Sequence, residues 1–239
     1  MSDFSFEPLQ EGIEICVSSE HKFGTDAFLL ASFASPRHKD TVCDLGTGCG
    51  IIPLLMQIKF NPSVIYGVDI QRQAIEQFKE TIEKNNLERL IPIQADLKEL
   101  WANCPKGSFD LVTCNPPYKA ANAGIESMGE ARKIARHEIM CDINDVCKAA
   151  SRLLKFGGRL CLCNRPERLA DVICAMRANK IEPKALRFVS KTAADQSWLF
   201  LIEGKLGSKP FMRVLPPLIV KDGDGFSREL LEIYGGNKA

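Results

Sequence analysis

Short apolar runs alternate along the chain with longer segments in which apolar residues return every third or fourth position. A short apolar run bounded by turn residues is typical of a strand buried on both faces, whereas the longer periodic segments are typical of helices. Regular alternation of the two indicates a parallel sheet with helices on both sides. The pattern therefore predicts a doubly wound α/β fold.

Seven strands and five helices make up the body of the predicted fold. The strands are expected at 41–45, 64–69, 91–94, 109–114, 159–163, 185–190 and 198–203. The helices are expected at 25–33, 50–59, 73–85, 142–154 and 167–179. Phe156-Gly157-Gly158 is expected to end the fourth helix as a glycine cap. Residues 11–18 alternate like a strand or hairpin arm, and a short helix is expected near Glu229.

Length and composition predict one domain. Of the 239 residues 45% are hydrophobic, which is ample for a full core. The domain is expected over 1–239, with an N-terminal extension over 1–40, a core over 41–204 and a C-terminal extension over 205–239. The net charge of +1 gives no overall basic field, so any binding to nucleic acid must rely on a local basic patch.

The chain shows no targeting or membrane pattern. Its first residues lack the basic start and apolar centre of a signal peptide, and no apolar run reaches the roughly 18 residues of a membrane span. Ten cysteines are present without a Cys-x-x-Cys pair, and the three histidines stand in unrelated contexts. We therefore expect a cytoplasmic protein with no bound metal and with mostly buried thiols.

A glycine-rich segment follows the first core strand. It reads Asp44-Leu45-Gly46-Thr47-Gly48-Cys49-Gly50 and leads into a helix. Glycines at such a position let the backbone approach a ligand closely. Ile51 stands where a dinucleotide-binding loop would have its third glycine. Because Asp44 suits a cationic amino-acid group better than a pyrophosphate, the segment favours S-adenosylmethionine over a nicotinamide dinucleotide.

Two more acids follow the next two strands. Asp69 ends the second core strand about 20 residues after the loop, where a carboxylate can bind two ribose hydroxyls. Ile70 can flank an adenine ring, and Asp96, with Leu97 beside it, can accept a hydrogen bond from the adenine amine. Since the carboxyl ends of parallel strands meet at one edge of a sheet, these acids and Asp44 are expected at one ligand site.

The fourth core strand is followed by Asn115-Pro116-Pro117-Tyr118. The Asn115 side-chain oxygen and the Pro116 carbonyl can each accept one N–H bond from a conjugated amine, which favours a pyramidal nitrogen with its lone pair free to attack. The prolines hold φ at about −65° and stiffen the turn. Tyr118 offers a ring on which a base can stack. The turn predicts group transfer to a planar amine.

With these motifs the chain resembles the class I S-adenosylmethionine-dependent methyltransferases and, among them, the tRNA1(Val) adenine-N6-methyltransferase family. The narrower resemblance rests on Lys22-Phe23-Gly24-Thr25-Asp26-Ala27-Phe28-Leu29-Leu30, Ala135-Arg136-His137-Glu138 and Arg165-Pro166-Glu167-Arg168-Leu169. It implies a Rossmann-like, mostly parallel seven-stranded sheet of order 3-2-1-4-5-7-6 with the last strand antiparallel. It also implies S-adenosylmethionine as the cofactor and the adenosine next to the anticodon of a tRNA as the methyl acceptor.

The resemblance implies roles for single residues as well. Asn115, Pro116, Pro117 and Tyr118 are expected to hold the target amine and its ring. Thr25, Asp26 and Asn115 are expected to join the glycine loop and the acids around the cofactor. Phe23 is a candidate for the second face of the base, and its alternative is a core position beside a helix start. The expected RNA contacts are Lys22, Lys119, Arg132, Lys133, Arg136 and His137. Residues 120–132 depart from the family pattern.

Other functions share part of this pattern. Enzymes that methylate the glutamine amide of peptide release factors also carry Asn-Pro-Pro-Tyr, but they generally have an N-terminal helical domain, and only about 40 residues precede the first core strand here. Adenine methylation of ribosomal RNA or DNA is a second alternative. An inactive scaffold that binds S-adenosylmethionine or RNA is a third, and a nicotinamide dehydrogenase is the last. The oligomeric state is not indicated, and a monomer is the default expectation.

Overall fold

A computed structural model describes residues 4–18, 23–100, 104–116 and 141–235. The strands are β1 (Ser5–Pro8), β2 (Glu14–Val17), β3 (Thr41–Leu45), β4 (Val64–Asp69), β5 (Leu90–Gln94), β6 (Phe109–Cys114), β7 (Leu154–Asn164), β8 (Ile181–Ser190), β9 (Ser197–Leu206), β10 (Arg213–Val214), β11 (Leu218–Ile219), β12 (Lys221–Asp222) and β13 (Gly225–Phe226). The helices are α1 (Thr25–Ala34), α2 (Ile51–Phe60), α3 (Arg72–Asn85), α4 (Ile143–Leu153), α5 (Leu169–Ala178) and α6 (Arg228–Ile233).

The central sheet has the predicted strand order. Its strands lie in the order β5-β4-β3-β6-β7-β9-β8, and β9 is antiparallel to both of its neighbours. Counted from β3 to β9, this is the expected order 3-2-1-4-5-7-6, and the expectation of an antiparallel last strand is confirmed. The short strands β10 and β11 pair parallel with β8 and widen the sheet to nine strands in the described residues.

The winding of the chain reverses beside β3. From β3 the chain continues outward to β4 and β5, and it then returns to place β6 on the other side of β3. In an open parallel sheet such a reversal leaves a crevice outside the carboxyl ends of the strands. The topology therefore directs a ligand to the ends of β3, β4 and β6.

Two hydrophobic clusters cover the two faces of the sheet. The first contains the buried faces of α1 and α2 with residues of β2 and α6. The second contains the buried faces of α4 and α5. Neighbouring residues of one strand point to opposite clusters, as Val42 and Cys43 of β3 do. The predicted helices on both faces are confirmed.

Local sequence signals account for several helix ends. Asp142 begins α4 with a capping box, because its carboxylate accepts the Asp145 N–H at 2.8 Å and the Asp145 carboxylate accepts the Asp142 N–H at 3.2 Å. Asn61 and Asn86 end α2 and α3 in the left-handed conformation, with φ of 49° and 53°. Pro53 is tolerated because it lies in the first turn of α2.

The predicted glycine cap at the end of α4 is wrong. Helix α4 ends at Leu153 and β7 begins at Leu154, so Phe156, Gly157 and Gly158 lie inside the strand. Gly157 has a φ of 79°, and a Cβ on Gly158 would lie only 3.0 Å from the Leu154 side chain. The two glycines therefore allow the irregular backbone at the start of β7, where the register with β6 shifts.

Both extensions pack on the core. Strands β1 and β2 form an antiparallel hairpin, and the Cys16 N–H of β2 donates to the Thr81 hydroxyl of α3 at 3.0 Å. At the other end, α6 packs against α1. Arg187 of β8 binds the Glu229 carboxylate through two hydrogen bonds of 2.6 and 2.8 Å. The predictions of a hairpin arm and of a helix near Glu229 are confirmed.

The ten cysteines carry thiols, and eight of them are buried. In the residues that the structure describes, no group of three or more His, Cys, Asp and Glu side chains is arranged to hold a metal ion. The helices within the same ranges are all too short or too polar to span a bilayer.

Candidate active site

Four neighbouring parallel strands bring polar side chains to one edge of the sheet. In the order β5, β4, β3 and β6, they carry Asp96, Asp69, Asp44 and Asn115 at or just beyond their carboxyl ends. The structure thus places these four candidate residues along the crevice that the topology creates.

The glycine-rich segment forms a tight turn between β3 and α2. Gly46, Gly48 and Gly50 have φ angles of 70°, 56° and 84°, which favour glycine. The backbone N–H groups of Gly46 and Thr47 both donate to the Val68 carbonyl at 2.9 Å. A Cβ added at Gly46 or Gly48 would meet nothing within 4 Å, so the turn leaves open space beside its backbone. This space is where a ligand can approach the main chain.

Gly50 is required for packing, and Gly48 is not. A Cβ on Gly50 would lie 2.1 Å from the buried Phe78 ring. We expect Gly50→Ala to lower the free energy of unfolding by about 3 kcal/mol, because positive φ and overpacking add. Gly48→Ala adds only the cost of positive φ and should lower it by about 1 kcal/mol. Urea unfolding measures both, and equal losses would contradict this division of roles.

Asp69 is held in a fixed orientation beside the glycine turn. It is 7% exposed. Its two carboxylate oxygens accept backbone N–H groups, Oδ2 from Gly48 and Oδ1 from Gln71, both at 2.9 Å. An ionised carboxylate has about four acceptor positions, so capacity for further donors remains. Ile70 next to it exposes 41% of its surface, an apolar surface against which a flat ring can pack.

Asp44 is a buried carboxylate with one oxygen unsatisfied. Its Oδ1 accepts the Thr113 hydroxyl at 2.6 Å. Its Oδ2 and the buried hydroxyl of Thr47 meet no partner in full hydrogen-bond geometry in the described part of the chain, although the two groups interact with each other. Burial raises the pKa of Asp44 to about 7, although the hydroxyls of Thr113 and Thr47 both lower it. A buried acceptor without a well-aligned donor is costly, and a cationic group that reached this oxygen from the crevice would relieve that cost.

Asp96 and Leu97 follow β5. The Asp96 carboxylate accepts the Lys98 N–H at 2.9 Å, and both residues are half-buried. Leu97 packs in part against the second hydrophobic cluster. The Ala95 N–H donates to the Asp69 carbonyl at 3.0 Å, which fixes this turn to the end of β4.

Asn115 and Pro116 lie directly after β6, and both are half-buried. The Asn115 side-chain oxygen accepts a hydrogen bond from the Cys163 thiol of β7 at 3.1 Å. Strand β6 lies between β3 and β7, so the turn stands beside both the glycine segment and the end of β7. Pro117 and Tyr118 lie outside the described residues, as do Lys22, Lys119, Arg132, Lys133, Arg136 and His137.

Phe23, Thr25 and Asp26 lie at the beginning of α1. The far end of this helix is anchored at the amino edge of the sheet, because Arg159 donates to the Ala34 carbonyl at 3.0 Å and pairs with Asp40 just before β3. The beginning of α1 therefore faces the carboxyl edge.

An aromatic cluster surrounds the start of α1. The Phe23 ring lies 6.1 Å from Phe28, and Phe28 lies 4.7 Å from Tyr234. The Tyr234 hydroxyl donates to Thr25 at 3.0 Å. Phe23 is half-buried in this cluster, so the structure gives it a packing role near the site edge.

Two residues of the site have no distinctive signal in the sequence. Thr113 lies two positions before Asn115 on β6 and holds Asp44 on the neighbouring strand. Cys163 contacts Asn115 from the other neighbouring strand. In the sequence both residues look like ordinary members of apolar strands. Their contacts with Asp44 and Asn115 become visible only when β6 is paired with β3 and β7.

Comparisons with known proteins place the chain in a family. The family model of the methyltransferase small domain matches residues 16–173. The chain is 30% identical to the tRNA1(Val) (adenine(37)-N6)-methyltransferase of Aeromonas salmonicida over 74% of this chain and 72% of the relative. It is 32% identical to the protein of the same name from Histophilus somni over 66% of this chain and 65% of the relative.

A solved structure shares the fold. The protein Atu636 from Agrobacterium tumefaciens, described as a predicted O-methyltransferase, superposes with a TM-score of 0.72. The superposition covers 88% of this chain and 96% of that chain at 20% identity. At this identity the likeness concerns the fold alone.

Proposed function

Since this chain belongs to the methyltransferase small domain family and, within it, to the tRNA1(Val) (adenine(37)-N6)-methyltransferases, we propose that it transfers a methyl group from S-adenosylmethionine to the N6 amine of a tRNA adenine. The target is adenosine 37 of tRNA1(Val), by analogy with the relatives' names. The observation that carries the proposal is the position of Asn115 directly after β6, because β6 pairs with β3 and β3 leads into the glycine turn.

The residues of the crevice fit S-adenosylmethionine. The unsatisfied Oδ2 of Asp44 is suited to the ammonium group, and Asp69 is suited to the ribose hydroxyls. Asp96 would accept from the adenine amine, and the apolar side chains of Ile70 and Leu97 would flank the ring. When bound, S-adenosylmethionine supplies an electrophilic methyl carbon.

The open backbone at Gly46 and Gly48 completes this fit. The buried hydroxyl of Thr47 lies in the same turn and interacts with the Asp44 carboxylate without reaching full hydrogen-bond geometry. Thr25 and Asp26 would close the site from the beginning of α1. The fit thus rests on an unsatisfied acid, an open turn and an oriented carboxylate.

Asn115 and Pro116 perform the central positioning. The Asn115 side-chain oxygen and the Pro116 backbone carbonyl each accept a hydrogen bond from one N–H of the amine. These two hydrogen bonds turn the nitrogen lone pair out of conjugation with the ring. Tyr118 would stack on the adenine, and Pro117 would stiffen the turn. Holding the amine in line with the reacting carbon provides most of the acceleration, so no covalent enzyme intermediate is required. The proton of the product amine passes to solvent.

A tRNA partner has to be held by local charge. The net charge of +1 supplies no general attraction, so Lys22, Lys119, Arg132, Lys133, Arg136 and His137 are proposed to contact phosphates. An anticodon loop is single-stranded, which makes extrusion of its adenine inexpensive. Phe23 is a candidate to stack on the second face of the target adenine.

We propose that residues 1–239 act as one methyltransferase domain in the cytoplasm. The support for one domain is the packing of both extensions on the core, through β2 on α3 and through α6 on α1. The support for the compartment is the tRNA substrate.

Nucleoside analysis tests the proposed reaction. The protein is incubated with methyl-labelled S-adenosylmethionine and tRNA from a strain that lacks this modification, and the digested nucleosides are analysed by mass spectrometry. We expect label in N6-methyladenosine of one isoacceptor, and Asn115→Ala serves as the matched inactive control. Label in a glutamine of a peptide release factor, with none in tRNA, would refute the tRNA assignment.

The raised pKa of Asp44 predicts a pH dependence of cofactor binding. The carboxyl is protonated below about 7, so binding of the ammonium group must displace that proton. We expect the affinity for S-adenosylmethionine to rise up to about tenfold per pH unit between pH 5 and pH 7. It should fall above about pH 8, where the ligand's α-amino group loses its own proton. Calorimetry in buffers of different ionisation enthalpy measures the proton release.

Asp44→Asn is the control for this prediction. Asparagine keeps an oxygen for the Thr113 hydroxyl but cannot ionise. Its affinity should be low at pH 7 and flat between pH 5 and pH 7. A variant that kept the wild-type pH profile would exclude Asp44 as the titrating group.

The raised pKa of Asp44 also makes the stability of the folded protein depend on pH. Stability should fall as the pH rises, whereas cofactor affinity should rise. The pKa of Asp44 is about 7 in the folded chain and near 3.8 in the unfolded chain. The folded chain therefore binds more protons between these values, so Asp44 lowers the stability of the ligand-free protein as the pH rises from about 4 to about 7.

A further inference from the structure

Cys163 contacts the proposed catalytic turn and has no role in the reaction described above. It lies next to the last residue of β7 and is 0% exposed. Its thiol donates to the side-chain oxygen of Asn115, with Sγ and Oδ1 3.1 Å apart. Cys114 pairs with Leu162, so Asn115 comes opposite Cys163 as the two strands end.

We propose that Cys163 is a positioning residue that orients the Asn115 carboxamide with its oxygen toward the target amine. The proposal rests on the function proposed above. The oxygen and nitrogen ends of a carboxamide have nearly the same shape, and the terminal torsion of asparagine is broad. A flipped Asn115 would present a donor to a donor amine. A thiol hydrogen aimed at the oxygen favours the productive orientation.

A thiol is a sufficient donor for this task. A carboxamide oxygen has two lone pairs, and S–H is a weak donor. It can therefore orient Asn115 while taking little of the acceptor strength that the amine needs. Cysteine also behaves as a small hydrophobe and fits the core. Cys163 pairs with Leu201 of β9 on its other side, so the donor stands on a strand held from both sides.

Kinetics of paired variants test the positioning role. We expect Cys163→Ala to lower kcat about tenfold, the value of one hydrogen bond lost in the transition state. Cys163→Ser restores a donor and should retain kcat within about threefold of wild type. The affinity for S-adenosylmethionine, measured without tRNA, should be unchanged in both variants.

Cys161 provides the matched control. It lies on the same strand, is also 0% exposed, belongs to the same hydrophobic cluster and directs its thiol toward Glu203 instead of Asn115. Cys161→Ala should lose comparable thermal stability while kcat stays at the wild-type value. Equal losses of kcat in Cys161→Ala and Cys163→Ala, or failure of serine to rescue, would overturn the proposal in favour of core packing.

An infrared measurement tests the contact without any substrate. The S–H stretching band of Cys163 is isolated in each protein by subtracting the spectrum of the same protein with Cys163→Ser added. We expect this band at a lower frequency in the wild type than in Asn115→Ala, where the acceptor is removed. An identical frequency in the two proteins would overturn the proposal. Because neither tRNA nor cofactor is present, this result is independent of whether the proposed methyl transfer is correct.

Discussion

Asn115→Ala should abolish methyl transfer while leaving the cofactor site intact. The substitution removes the oxygen that receives one N–H bond of the amine, so the nitrogen stays conjugated and misaligned. We expect kcat to fall by about 10³-fold or more. The affinity for S-adenosylmethionine should change by only a few fold, because Asp44 and Asp69 lie on the adjacent strands β3 and β4 and are untouched. Single-turnover methylation and calorimetry separate the two effects.

Asn115→Asp is the matched control. It retains an acceptor oxygen for the amine and for the Cys163 thiol, but it adds a charge to the crevice near Asp44. We expect activity between those of the wild type and the alanine variant. Turnover of Asn115→Ala near the wild-type rate would refute the assignment of the turn.

Asp69→Ala should have the largest effect on cofactor binding. Its carboxylate accepts the N–H groups of Gly48 and Gln71, and it is the proposed partner of two ribose hydroxyls. Loss of two charge-assisted hydrogen bonds, together with loosening of the glycine turn, should raise the Kd of S-adenosylmethionine by about 10²-fold or more. At saturating cofactor, kcat should stay within a few fold of wild type, since the amine is held elsewhere.

Two further variants calibrate this result. Asp69→Asn keeps one acceptor oxygen and should bind with intermediate affinity. Asp96→Asn tests the more exposed acid at the next strand end and should raise Kd by about tenfold or less, the value of one hydrogen bond. If Asp69→Ala and Asp96→Asn weakened binding equally, Asp69 would not be the principal anchor.

Much of the fold follows from sequence periodicity. Apolar runs such as 109–114 lie in the centre of the sheet, where both faces are buried and the hydrophobic pattern is strong. The acids that follow three of these runs must then meet at one edge, because parallel strands end together. The order of the strands came from the family resemblance, since periodicity alone does not say which strands are neighbours.

Other features depended on pairing that a linear sequence does not display. Strands β10 and β11 have two residues each, too few for any period to appear. Gly157 and Gly158 look like a helix cap, but the irregular β6–β7 register places them in a strand. The contacts of Thr113 with Asp44 and of Cys163 with Asn115 cross between strands far apart in sequence.

One strand joins the two halves of the proposed site. Thr113 of β6 holds the buried carboxylate of Asp44, and Asn115 follows two residues later. Any shift of β6 would therefore move the proposed ammonium partner and the proposed amine acceptor together. In the proposed site, this shared strand would hold the cofactor and the acceptor amine at a fixed spacing.

A crystal structure with sinefungin would locate both halves of the proposed site, because this ligand carries an amine at the position of the transferable methyl group. We expect its amino-acid ammonium at Asp44 Oδ2, its ribose hydroxyls at Asp69 and its methyl-site amine beside the Asn115 oxygen and the Pro116 carbonyl. A ligand bound at the glycine turn with its methyl-site amine directed away from Asn115 would refute the proposed role of this turn.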